Sequence, residues 1–316
     1  MESIFHLKKL LSQELIQDVS LETGIDPAFI EKDWFAVQLL MLLAKYQNDK
    51  DVHLIFSGGT SLSKGYNLIQ RFSEDLDFFL KEPDDKPLSQ GQRRYFRRNI
   101  TDHIVQDKRF LINDDEVKRG DSYRFFKAPI TYGGLFEQAS LRAHLQLEMT
   151  FFKPKMPVEM RRIQSIVSSV VGNDPEVDML CISPLETAGD KLSAFSWRVL
   201  VRDRNAKDDD ATIIRHLHDL AALESVISEQ QETFITTAKQ SLEHDQANRG
   251  GNKIKQLSIQ DRLFETLHVL KSDKLYRKEY EKFVMDMSYA DEEGKIDFDG
   301  ALAAFERVVN IYCSVG

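Results

Sequence analysis

Asp75 and Asp77, one residue apart in RFSEDLDFFL, are the side chains best placed to do chemistry. The segment alternates apolar and polar residues, the period of a β-strand, so both carboxylates project from one face with Cβ atoms about 7 Å apart. Hard oxygen donors at that spacing suit a pair of Mg²⁺ ions, which bridge triphosphate oxygens and neutralise charge as an attacking hydroxyl displaces pyrophosphate. An isolated D-x-D is more often a solvated strand edge, so the surroundings decide.

Those surroundings favour phosphate chemistry. Upstream, Ser57-Gly58-Gly59-Thr60-Ser61 follows an apolar run and precedes a helical pattern. Glycines in such a strand-to-helix turn let backbone N–H groups approach a phosphate at a helix N-terminus, where negative charge is favoured. The turn is not a Walker loop, because Ser63 precedes Lys64 and Gly65 follows it, the wrong order for a P-loop.

The elements around these motifs follow from periodicity. Helical spacing over 3–20 and 27–47 predicts two opening helices, the second with Asp26 as cap and Pro27 in its first turn. Strands are expected at HLIFS and RFSEDLDFFL, a helix over 89–106, and further strands over 122–131 and 141–152. After Pro184 the chain turns helical, over 185–202, 211–226, 229–244, 258–270 and 275–287. The expected architecture is α/β (α+β): a first domain over 1–181, with N-terminal helices and a small mixed sheet flanked by helices, then an all-helical C-terminal domain over 182–316.

GGTSLSKGY followed by RFSEDLDFF resembles the first two motifs of the AbiEii and MenT-like nucleotidyltransferase toxins, within the DNA polymerase beta-like superfamily. The likeness runs by motif order over 52–225. It implies that Ser57, Gly58, Gly59, Thr60 and Ser61 cradle a nucleoside triphosphate, that Lys64, Arg71 and Ser73 lie within reach of its phosphates, and that Asp75 and Asp77 hold Mg²⁺. It implies a third acidic ligand on a later strand, a place that Glu148 in LRAHLQLEMTFF fits. It further implies a lysine and an aspartate on later helices, places that Lys191 in LETAGDKLSAFSWR and Asp219 in RHLHDLAAL fit. Lys191 would neutralise the triphosphate, and Asp219 would orient that lysine or accept a proton from the nucleophile. Two departures stand out: His216 where the family carries an acidic residue, and a polar insertion at Ala206–Asp210.

Composition narrows the classes. Hydrophobic residues at 42% beside 29% charged describe a globular chain, and the apolar run from Trp34 to Ala44 is too short to cross a bilayer, so the expected location is cytoplasmic. Two cysteines without a CxxC partner point to neither a disulfide framework nor a zinc site. A net charge of −9 argues against a nucleic-acid-coated protein, although Arg93, Arg94, Arg97 and Arg98 form two i,i+4 columns that are either an RNA-gripping face or an ordinary solvated one. DEEGKIDFDG fails as a calcium loop, since Tyr289 and Gly300 fall at ligand positions. His216 and His218 point to different faces of a helix and make a poor metal site. By the resemblance, the acceptor is the 3′ end of tRNA and the role is that of a toxin with a cognate antitoxin, or of an anti-phage abortive-infection system. A small-molecule or protein hydroxyl as acceptor, and a non-catalytic nucleotide-binding protein, remain the alternatives.

Overall fold

The computed structural model describes residues 11–207, 209–250, 252–291 and 294–314. The expected opening helix at 3–20 falls partly on residues outside these. Within them α1 spans Gln13–Thr23 and α2 spans Pro27–Ala44. Asp26 caps α2, its carboxylate accepting from the Ala28 N–H at 2.8 Å, with Pro27 in the first turn, as the sequence indicated.

The chain divides into two compact units. The first gathers the residues up to Tyr66, Phe72–Pro154 and Val158–Cys181; the second gathers Asn67–Arg71, Lys155–Pro157 and the chain from Ile182 onward. Two short straps, 67–71 and 155–157, therefore belong to the second unit although the sequence around each belongs to the first.

The first unit is built on a mixed sheet. Its strands are β1 (His53–Ser57), β2 (Asp75–Lys81), β3 (Phe110–Ile112), β4 (Lys118–Gly120), β5 (Phe125–Tyr132), β6 (His144–Phe151), β7 (Glu159–Ile163) and β8 (Val177–Cys181). They lie in the order β3-β5-β6-β2-β1-β8-β7, with β4 also on β5. β2 runs parallel to β6 and β1 parallel to β8, while the other pairs are antiparallel. Eight strands among the described residues make a larger sheet than expected. Sequence periodicity missed β3, β4, β7 and β8: the first two are three residues long, EMRRI is a polar edge strand and VDMLC is too short to show alternation. Leu76, Phe78 and Leu80 of β2 face the core while Asp75 and Asp77 face the other way, so hydrophobic burial fixes which side carries the carboxylates.

Flanking the sheet are α3 (Gly58–Lys64), α4 (Gln90–Gln106) and α5 (Ile166–Val170). α2 is buried on nearly all sides, including its polar run Glu31, Lys32 and Asp33. Each of these charges has a partner, as burial requires: Glu31 accepts from the Leu135 and Phe136 N–H groups, Lys32 pairs with Glu74, and Asp33 pairs with Lys64 and accepts from the Ile166 N–H. α4 splits the arginine columns. Arg93 and Arg97 are buried, reaching the Leu88 carbonyl and Asp114, while Arg94 and Arg98 are exposed, so half of the supposed basic face is interior framework.

The second unit is helical: α6 (Pro184–Val201), α7 (Arg215–Ala222), α8 (Glu224–Glu229), α9 (Gln231–Asn248), α10 (Asn252–Lys255), α11 (Ile259–Ser272), α12 (Leu275–Met287) and α13 (Phe298–Cys313). α6 and α9 cross closely where Gly189 meets Ala238; a Cβ on Gly189 would come within 2.9 Å of the Ala238 Cα. α13 buries Phe298, Ala301, Phe305 and Val308 on one stripe, with Phe305 edge-on to Phe195. The polar insertion is clamped: Arg202 grips Asp209 and Glu279 at 2.7 Å, and Arg204 reaches Asp273 at 2.7 Å.

Candidate functional site

Asp77 sits at the centre of an acidic face in the first unit. On one side its register partner is Ser57 at the end of β1; on the other it is Glu148 of the parallel strand β6. Asp75 lies two residues back on the same face, so the structure brings Asp75, Asp77 and Glu148 onto one surface of adjacent strands. β1 passes directly into α3 at Gly58, which takes φ +73°. A Cβ there would stand 2.0 Å from Asp77 Oδ2, so only glycine allows this close approach of backbone and carboxylate. Thr60 donates from Oγ1 to the Asp75 carbonyl at 2.5 Å, which ties α3 to β2 from its other side.

Three carboxylates on one face repel one another, and cations meet Asp75 and Glu148. Arg142 donates from Nη2 to Asp75 Oδ1 at 2.8 Å, and Lys127, the register partner of Glu148, forms an ion pair with it. By donor chemistry these oxygens fit a hard divalent cation. They share a strand face without closing on one point: among the described residues no three His, Cys, Asp or Glu side chains form a group that could hold a metal ion.

The other expected phosphate contacts divide. Ser57 and Thr60 are buried beside the acidic strand, and Ser61 is buried beside the Cys181 thiol. Gly59 is buried in the first turn of α3, and Ser73 is half-buried, its carbonyl 3.5 Å from Thr60 Oγ1. Lys64 is committed elsewhere, paired with Asp33 and donating to the Gln164 carbonyl at 3.3 Å. Its use by α2 is a long-range contact that proximity in sequence to the glycines could not reveal.

A second cluster lies wholly within the helical unit. Asp219 on α7, fully buried, accepts from Arg71 Nε and Nη2, each at 2.7 Å, and from Lys191 Nζ on α6 at 2.7 Å. Burial alone would raise the Asp219 carboxyl, but the Arg71 and Lys191 cations override it and hold the group well below the ordinary carboxylate range. Burial, reinforced by Arg71, pushes Lys191 below the usual lysine range despite the pull of Asp219. Asp219 thus faces both the Arg71 guanidinium and the Lys191 ammonium. The lowered Asp219 carboxyl is a poor proton acceptor. Burial and the neighbouring Lys191 charge hold the His216 imidazole well below its usual value, hence neutral.

Lys32, Glu74, Lys127 and Arg142 were missed by sequence reasoning. Only Glu74 carried a signal, as the residue before Asp75; the rest join through contacts between distant segments.

Comparison with known proteins places the chain among the nucleotidyltransferases. The sequence profile described as nucleotidyl transferase AbiEii toxin, type IV toxin–antitoxin system, matches residues 41–306, and the chain belongs to that family. Among solved structures it is similar to MenT4, a nucleotidyltransferase toxin from Mycobacterium tuberculosis H37Rv. That likeness has 19% identity and a TM-score of 0.50, covers 93% of this chain and 99% of the other, and is one of fold. No protein with a curated description matches in sequence. Among the described residues no helix is long and apolar enough to cross a membrane.

Proposed function

We propose that this toxin transfers a nucleoside monophosphate from a nucleoside triphosphate to the 3′ end of tRNA. The observation that carries the reading is the packing of Gly58 against Asp77, which sets the glycine turn and the D-x-D strand in one site with atomic closeness. The acceptor oxygen forms a bond to the α-phosphorus, the bond from that phosphorus to the pyrophosphate oxygen breaks, and the hydroxyl proton leaves to solvent.

Asp75, Asp77 and Glu148 are the residues that would hold Mg²⁺, which when bound supplies charge neutralisation to the triphosphate. Ser57, Gly58, Gly59, Thr60 and Ser61 receive the phosphates through the backbone of the turn. Lys191 and Arg71 provide positive charge for the triphosphate, with Asp219 orienting both. Lys64 and Ser73 act indirectly, Lys64 by fixing the far end of α3 to α2. A cognate antitoxin, implied by the family, restrains this activity in the cytoplasm.

The test is incubation of the protein with total tRNA, Mg²⁺ and each α-labelled nucleoside triphosphate in turn, beside Asp75→Ala and Asp77→Ala. Label entering tRNA with the wild type and absent with both variants is expected. Labelled protein or small molecule with no labelled tRNA would overturn the acceptor.

A further inference from the structure

The acidic face carries its own counter-ions, and one of them is held in a way that predicts a second task. Glu74 Oε1 accepts from Lys32 Nζ at 2.5 Å and from the Arg142 N–H at 2.7 Å, while Oε2 accepts from Arg142 Nε at 3.2 Å. Lys32 also donates to the Arg142 carbonyl at 2.5 Å. The backbone and inner edge of Arg142 are therefore fixed by a buried Lys32–Glu74 pair, with side chains 6% and 10% exposed. The outer end is different: Nη2 alone reaches Asp75 Oδ1, and the Arg142 side chain is 35% exposed.

Lys32 pairs with Glu74, and Arg142 pairs with both Glu74 and Asp75. A divalent cation on Asp75 would face the guanidinium directly, and like charges that close oppose each other. A triphosphate brought to the same cation offers oxygens that Arg142 can bind while keeping its grip on Glu74, and guanidinium–phosphate contacts are among the stronger charge-assisted hydrogen bonds.

We propose that Arg142 is a counter-ion shared between Asp75 and the incoming triphosphate, occupying the carboxylate in the free protein and passing its outer amino group to the phosphate when the cation binds. This rests on the reading of Asp75 as a metal ligand. It makes cation and triphosphate binding mutually reinforcing, since each removes an obstacle to the other.

The test measures Mn²⁺ binding alone by electron paramagnetic resonance of the free ion, and Mn²⁺–triphosphate binding by calorimetry with inorganic triphosphate. Arg142→Gln should bind Mn²⁺ about tenfold more tightly than wild type, the order expected when one unit charge beside a divalent ion is removed, and Mn²⁺–triphosphate more weakly. Arg142→Lys, which keeps the charge, should stay near wild type for Mn²⁺; Arg142→Met, which also removes it, stands in with the same expected tightening if the glutamine variant fails to fold; and Asp75→Asn should bind none. Unchanged or weaker Mn²⁺ binding in Arg142→Gln, unchanged triphosphate binding, or tighter Mn²⁺ binding in Arg142→Lys overturns the proposal alone. Mn²⁺ binding to Asp75→Asn at wild-type strength overturns the metal reading itself, and this inference with it.

Discussion

Replacing Asp219 by asparagine removes an anion that two buried cations share, and the structure gives the size of the effect. Arg71 and Asp219 have side chains 3% and 0% exposed, Lys191 9%, and all three contacts are 2.7 Å. Leaving buried charges without their counter-charge costs about 3–5 kcal/mol. Lys191→Met should behave differently, staying within about 1 kcal/mol of wild type, because it leaves the Arg71–Asp219 pair balanced and removes a desolvated ammonium. Combining the two should recover part of the Asp219→Asn loss, with a coupling of about 1–3 kcal/mol. The chain has two tryptophans, Trp34 in the first unit and Trp197 in the second, so urea unfolding read by fluorescence in a Trp34→Phe background reports the helical unit. The acid limb provides a second reading. The Asp219 carboxyl lies below its unfolded value of about 3.9, so its contribution is complete above that pH and is lost as pH falls toward the folded value. That slope should flatten in Asp219→Asn. Asp219→Asn within 1 kcal/mol of wild type, by order of magnitude, or an unchanged acid limb, would refute the charge-sharing argument.

Further outcomes follow from close approaches. Gly58→Ala combines a φ of +73° with a Cβ 2.0 Å from Asp77 Oδ2, so it should displace that carboxylate and lower nucleotide incorporation about 100-fold, measured with labelled nucleotide. Gly189→Ala should lower thermal stability by about 1–3 kcal/mol through overpacking against Ala238, although alanine favours a helix by about 1 kcal/mol; a raised melting temperature would show that α9 yields. Lys191→Met should abolish incorporation while leaving the unfolding midpoint close to wild type, the pattern of a substrate-binding residue rather than a structural one.

What the sequence revealed was local. Asp26-Pro27 marks the start of α2, and the alternation of β2 shows which side carries Asp75 and Asp77. What it concealed depends on contacts far along the chain. Helical spacing groups Arg93 with Arg97 but cannot say that this column faces inward, because arginine is ordinarily exposed and its burial needs Glu82 and Asp114 from other segments. Arg142 gave no signal, since its partners Glu74 and Asp75 lie 67 and more residues away. Arg71 read as a neighbour of the D-x-D strand, yet its carboxylate partner is 148 residues distant. The sequence reading did not include α13, whose N-cap Asp297 lies within the calcium-like DEEGKIDFDG.

The two straps bear on how such toxins can be recombined. A piece beginning at Ile182 would carry Asp219 and Lys191 without Arg71, and would leave Ser288 and Tyr289 without the Gln70 carbonyl that their hydroxyl and N–H meet. It would also strip Glu186 of the Lys155 and Met156 amides. The helical unit is therefore not an exchangeable cassette. Shuffling it between relatives requires moving three separated stretches of sequence together, so acceptor or antitoxin preference is more readily altered by point substitution than by grafting one half of the chain.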